Sequence, residues 1–141
     1  MRILLIWSAL VALALALACA SGDATPATSY EKRLTAGRQI YEDYCIACHG
    51  ADGSGGVIAP YLAPRPPDLR RIAAGHGGVF PHVQVEAWID GRDPIPSHGT
   101  REMPVWGVSF REDMEHDELT ETRVHARIAL LVDYLASIQR P

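Results

Sequence analysis

Apolar positions along the chain form two helical stripes, one shorter helical pattern and one unbroken run. Leu34, Gly37, Ile40, Tyr41 and Tyr44 fall mostly three or four positions apart, which predicts an amphipathic helix over Glu31 to Tyr44. Val124, Ile128, Leu131, Val132, Leu135 and Ile138 make one stripe with i+3 and i+4 steps, the buried face of a second helix. Thr120 is an acceptable N-cap for it, although Arg123 leaves the capping box incomplete. Pro81 and Gly91 bracket a shorter helix over Pro81 to Asp90. Apolar and polar residues alternate for no more than about four positions anywhere, so strands are not expected. The stretches "HGADGSGG" and "APYLAPRPPD" read as loops. The expectation is an all-α domain of three to four helices whose core is thin for its length and would gain from a large apolar insert.

The unbroken run is Ile3 to Ala18, interrupted only by Ser8 and preceded by Arg2. A positive start, an apolar run and small residues before a break read as an export signal. The run is short for a bilayer span, which takes about 20 residues. Two processing routes fit its end. Ala18 and Ala20 can form an A-x-A cleavage site, or the small residues before Cys19 can act as a lipoprotein box, which they resemble, with Cys19 lipidated. Lipidation would use the odd cysteine of three and leave Cys45 and Cys48 as a pair. The residues from Ala20 to Ser29 are small or polar and read as a flexible tether, with a reach of roughly 17–19 Å. The expected organisation is therefore a signal over 1–19, a tether over 20–29 and one domain over 30–141. A net charge of -4 without a basic stripe argues against nucleic acid as a partner.

Chemistry concentrates in "YCIACHG", Tyr44 to Gly50. Thiols at i and i+3 of a helical turn face one side. They can reach the two vinyl carbons of one haem, and His49 is then placed to offer its imidazole to iron. C-x-x-C-H is therefore read as covalent attachment of one haem c through Cys45 and Cys48, with His49 as an iron ligand. A zinc site would need two more ligands at paired spacing, and His76 and His82 only approach such spacing. A thioredoxin-like pair would need a βαβ pattern. A Cys45–Cys48 disulfide suits an exported chain but leaves His49 without a reason. A sixth ligand is expected from Met103, in "REMPVWG", where Pro104 stiffens the loop and holds the preceding residue extended. Val105 and Trp106 would shield it. Met114, in "REDMEHDEL", reads as wet and is the poorer candidate. His98, in the same loop as Met103, is the least improbable of the remaining histidines.

Taken in order, these pieces resemble the bacterial class I cytochromes c, single-haem periplasmic electron carriers. "GRQIYEDYCIACHG" resembles the family's first helix, "DGSGGVIAP" and "PPDL" its loop after the haem histidine, "EMPVWG" its distal-methionine loop and "ALLVDYLASI" its closing helix. The resemblance implies the small cytochrome c fold wrapped around one haem, with Gly37 and Tyr41 meeting the last helix. It also implies that the Pro60 carbonyl accepts the Nδ1–H of His49. The segment "HGGVFPHVQVEAWIDGRDPIPSHGTR" before Met103 departs from the pattern.

With His49 and Met103 both on iron, no position is open to oxygen or substrate, and methionine favours the ferrous state. The expected function is single-electron transfer between periplasmic or membrane redox proteins, of the respiratory chain or a periplasmic dehydrogenase. No small-molecule substrate and no enzymatic activity are expected. A lipidated Cys19 would hold the protein at a membrane facing the bacterial periplasm. The alternative is a haem c subunit of a dehydrogenase or oxidase complex, docked through the segment Gly75 to Thr100.

Overall fold

The computed structural model of the protein describes residues 27–92 and 103–141. It holds four helices of at least seven residues, and no strand, among the described residues. Helix α1 is Ser29–Tyr44, followed by the single turn α2, Ile46–His49. Helix α3 is His82–Asp90, α4 is Trp106–Glu112 and α5 is Thr120–Ser137. Short 3-10 turns at Ala59–Tyr61, Leu69–Arg71 and Ala74–His76 punctuate the long connection between α2 and α3.

Helix α1 starts two residues before the expected Glu31, because its cap lies in the stretch read as tether. The Thr28 hydroxyl accepts from Glu31 N at 3.2 Å, and Thr28 N donates to the Glu31 carboxylate at 2.6 Å. This reciprocal box satisfies two amides that a helix start leaves open. Helix α5 buries Val124, Ile128, Leu131, Val132 and Leu135, as its stripe predicts, with Ile138 half-buried just past its end. Thr120 departs from expectation: it is the first helical residue and not the cap. Its hydroxyl donates to Asp117 O and accepts from Asp117 N, both at 2.8 Å, so it braces the turn before the helix. Helix α3 ends as predicted at Gly91, whose φ of 67° is left-handed.

Helices α1 and α5 cross at Gly37. A methyl group placed there would lie 2.0 Å from the Leu130 carbonyl oxygen and 3.0 Å from Tyr134 Cβ. One turn on, the rings of Tyr41 and Tyr134 meet at 5.3 Å. Tyr41 is fully buried, and its hydroxyl donates to Gly50 O at 2.6 Å, tying α1 to the chain just past α2. Cys45, Val85, Ile89 and Phe110 join these residues in one core. Gly37→Ala is expected to lower stability by about 2–3 kcal/mol, because the clash is with backbone and the helices must separate. A urea titration followed by circular dichroism measures this; an unchanged midpoint would show that the crossing tolerates a methyl group.

Candidate functional site

Cys45 is the joint between α1 and α2. Its amide donates to Tyr41 O and its carbonyl accepts from His49 N, both at 2.9 Å. The next four carbonyls are all taken by the loop that follows. Gly50 N donates to Ile46 O (2.8 Å), Ile58 N to Ala47 O (3.2 Å), Gly56 N to Cys48 O (2.9 Å) and Gly55 N to His49 O (2.8 Å). Such close approach needs glycine: a methyl group on Gly56 would lie 2.1 Å from Ala47 O. The C-x-x-C-H turn is thus fixed by its own backbone and by its loop, with every carbonyl of its helical turn satisfied.

The far side of the loop is fixed too. Leu69 N donates to Gly53 O at 2.9 Å, and Arg70 Nη1 donates to Asp52 Oδ2 at 2.7 Å. Arg70 also grips Asp68 through Nε and Nη2, and these bonds hold the Asp68 carboxyl down at about 2. The "PPDL" element therefore clasps the loop after His49. Gln139 Nε2, donating to Leu69 O, and Arg140 N, donating to Arg70 O, fasten it to the chain after α5.

Both thiols are free; Cys45 is buried and Cys48 half-buried. Burial, helped by the neighbouring Cys48, pushes the Cys45 thiol up to about 12. Burial also lowers the pKa of His49 below its ordinary value, which keeps the imidazole neutral at pH 7, the state a metal needs. His49 Nδ1 is buried and has no hydrogen-bond partner. The bond expected from it to the Pro60 carbonyl is therefore not made: Pro60 sits exposed inside the 3-10 turn Ala59–Tyr61. An unpaired buried nitrogen costs about 1–3 kcal/mol, so the missing bond is a departure from what the resemblance implies. Two free thiols one turn apart beside a neutral imidazole form a donor set that fits a haem. Among the described residues no three His, Cys, Asp or Glu side chains come together as a metal site.

Met103 is half-buried and packs on the core that contains Cys45. Its segment is drawn there by α4. Trp106, three residues on, meets Tyr44 edge-on at 5.6 Å, and Phe110 meets Tyr44 edge-on at 5.3 Å. Tyr44 directly precedes Cys45, so the Met103 segment and the C-x-x-C-H turn share one aromatic cluster. Arg127 of α5 lies over the rings of Tyr44 and Phe110 and donates to the Tyr44 hydroxyl at 2.7 Å. Met114 was expected in a wet stretch; it is half-buried and also packs on the core. His98 and Cys19 lie outside the described residues.

The family model for cytochrome c matches residues 34–139, three quarters of the chain. The chain belongs to the cytochrome c family. No curated protein and no solved structure matches it. The helical domain is the cytochrome c fold, and the match runs from inside α1 to Gln139, so it spans the C-x-x-C-H turn, Met103 and the α1–α5 crossing. Haem binding and electron transfer follow for this cytochrome, with redox proteins as its class of partner; members of the family are typically carriers and not enzymes.

Two side-chain clusters of this cytochrome escaped the sequence reading. One is the guanidinium of Arg127 on the Tyr44–Phe110 pair. The other is an ion-pair cluster of Asp90, Arg92, Glu121 and Arg111 around Gly107. The Asp-Gly-Arg turn after α3 and a glycine one turn after Met103 are the only sequence signals for the second; nothing local marks the first.

Proposed function

We propose that this cytochrome is a single-haem electron carrier. Cys45 and Cys48 would form the thioethers to the haem, and His49 and Met103 would be the ligands of its iron. The observation that carries this reading is the C-x-x-C-H turn itself: free thiols and a neutral imidazole locked by four backbone bonds within a cytochrome c domain. The haem, when bound, supplies a one-electron change at iron. The chain's own residues do the rest. The turn fixes the two sulfurs and the imidazole relative to one another, which limits reorganisation between redox states. Met103 contributes a soft, neutral sulfur that favours the reduced form. With His49 and Met103 both given to the iron, the chain would leave no position for a substrate.

The site of action in this reading is the bacterial periplasm. The run Ile3–Ala18 directs export, and Cys19, if lipidated, holds the domain at a membrane through the short tether. Confinement beside membrane oxidoreductases would raise the effective concentration of carrier and partner. Purification from native membranes with haem staining tests the whole reading. One haem-stained chain, without a stoichiometric catalytic subunit, is expected. A dehydrogenase that travels with it would instead make this cytochrome an enzyme subunit. Cys19→Ala is expected to release the protein into the soluble periplasm or leave it unprocessed, since stable anchoring needs more than one acyl chain. Wild-type protein found soluble, with Ser21 at its N-terminus, would replace lipidation with ordinary cleavage after Ala20.

A further inference from the structure

Arg127 of α5 stands where three helices meet. Its guanidinium carbon lies 4.9 Å from the centre of the Tyr44 ring, at the end of α1, and 4.4 Å from that of Phe110 in α4. Its Nη2 donates to the Tyr44 hydroxyl at 2.7 Å. That hydroxyl in turn donates to Asp113 Oδ2 at 3.2 Å, and Arg127 Nη1 reaches the same oxygen at 3.7 Å. Asp113 is the C-cap of α4. A guanidinium suits this place, because its flat face stacks on rings while its edge keeps donors free for the phenol. Tyr44 is bonded to Cys45, and Cys45 shares one buried core with Phe110.

We propose that Arg127 biases the iron site toward its reduced state, as a fixed positive charge on the ring beside Cys45. This rests on the reading of Cys45 and Cys48 as the haem attachment and of His49 as an iron ligand. Reduction adds one electron, delivered by a redox partner, and lowers the charge of the site by one. A fixed cation nearby favours that change. Asp113 opposes the effect without cancelling it. The Arg127 side chain is 22% exposed and that of Asp113 47%, so water screens the carboxylate more than the guanidinium. Phe110 is fully buried, so the guanidinium rests on the edge of a medium poor in water, where a charge is felt further. The phenol fixes both charges in place, accepting from one and donating to the other.

Redox titration of the holoprotein against a dye of known potential reads the equilibrium constant for reduction. Arg127→Met is expected to lower that constant roughly two- to fivefold, the range of one partly screened charge. Asp113→Asn is expected to raise it, by a smaller factor. The opposite signs carry the test, because loosening the junction of the three helices would move both variants the same way. Arg33→Met removes an equal charge from α1, twelve residues before Cys45, where Arg33 is 50% exposed beside Asp133. It is expected to shift the constant less than Arg127→Met does. Arg127→Met and Asp113→Asn that shift the constant in one direction, or leave it where it is in the wild type, would overturn the inference. An equal shift in Arg33→Met would do the same, by reducing the effect to net charge. Should Arg127→Met not fold, Asp113→Asn decides alone, and a constant that it fails to raise overturns the inference. Acid-acetone extraction of the wild type separates the two ideas. Haem that extracts freely would remove the attachment reading, and the role of Arg127 with it. Haem that stays with the chain, without the opposite shifts, would remove the role of Arg127 alone.

Discussion

Cys45→Ala combined with Cys48→Ala is expected to abolish all haem that stays with the chain through denaturation. Thioethers survive unfolding, so the wild-type protein should keep its haem in acid-acetone extraction and in a denaturing gel. The double variant has no thiol left in the domain to form a thioether with it, because the third cysteine of the chain is Cys19. Each single variant keeps one possible thioether and should retain haem at reduced yield. The substitutions themselves remove little volume: Cys45 is buried, but losing its sulfur costs only about 1 kcal/mol of packing. A much larger loss of folded protein would therefore measure the contribution of the bound group, by the linkage through which any ligand of the native state stabilises it. Haem that still resists extraction from the double variant would place the attachment elsewhere and remove the basis for the site.

Most of what was legible in the sequence was local or periodic. The α5 stripe reports a face, and the face is buried because half of an 18-residue helix must be covered. The C-x-x-C-H turn was legible for a related reason: its chemistry depends on residues one helical turn apart, and sequence spacing encodes that separation directly. Helix α4 was not legible. It is seven residues long, follows Pro104 and runs into charged residues, so its period is too short to register. It forms because Phe110 is fully buried and Gly107 lets α4 approach the Asp90–Arg92 pair. The same helix explains Met114, which its charged neighbours marked as wet and which the end of α4 turns onto the core. Thr120 failed as a cap because Asp117 competes for its hydroxyl through the turn before α5. Pro60 failed because a residue type cannot fix a carbonyl's direction; the 3-10 turn around it does. Arg92 with Glu121 and Arg127 with Tyr44 join residues 29 and 83 positions apart, and no local pattern carries such pairings.

Met103→Ala is expected to open iron to added ligands, and the assignment of function depends on it. In the proposed arrangement the Met103 thioether would be the second iron ligand beside the His49 imidazole. Its removal should abolish the sulfur-to-iron absorption band of the ferric protein and let carbon monoxide bind the reduced protein at neutral pH. It should also destabilise the fold by about 2–4 kcal/mol, since a half-buried side chain on the core is lost along with a link between distant segments. Met103→His separates ligation from packing. A second imidazole keeps iron six-coordinate but favours the ferric form, so the reduction potential should fall by on the order of 0.1 V, within the roughly 0.8 V that axial ligands span. Met114→Ala is the decisive control. Met114 also packs on the core, so its truncation should cost about 2 kcal/mol of stability. It should leave the absorption band, the potential and carbon monoxide binding as they are in the wild type. A band that persists in Met103→Ala and disappears in Met114→Ala would transfer the ligand from the segment before α4 to the chain just after it.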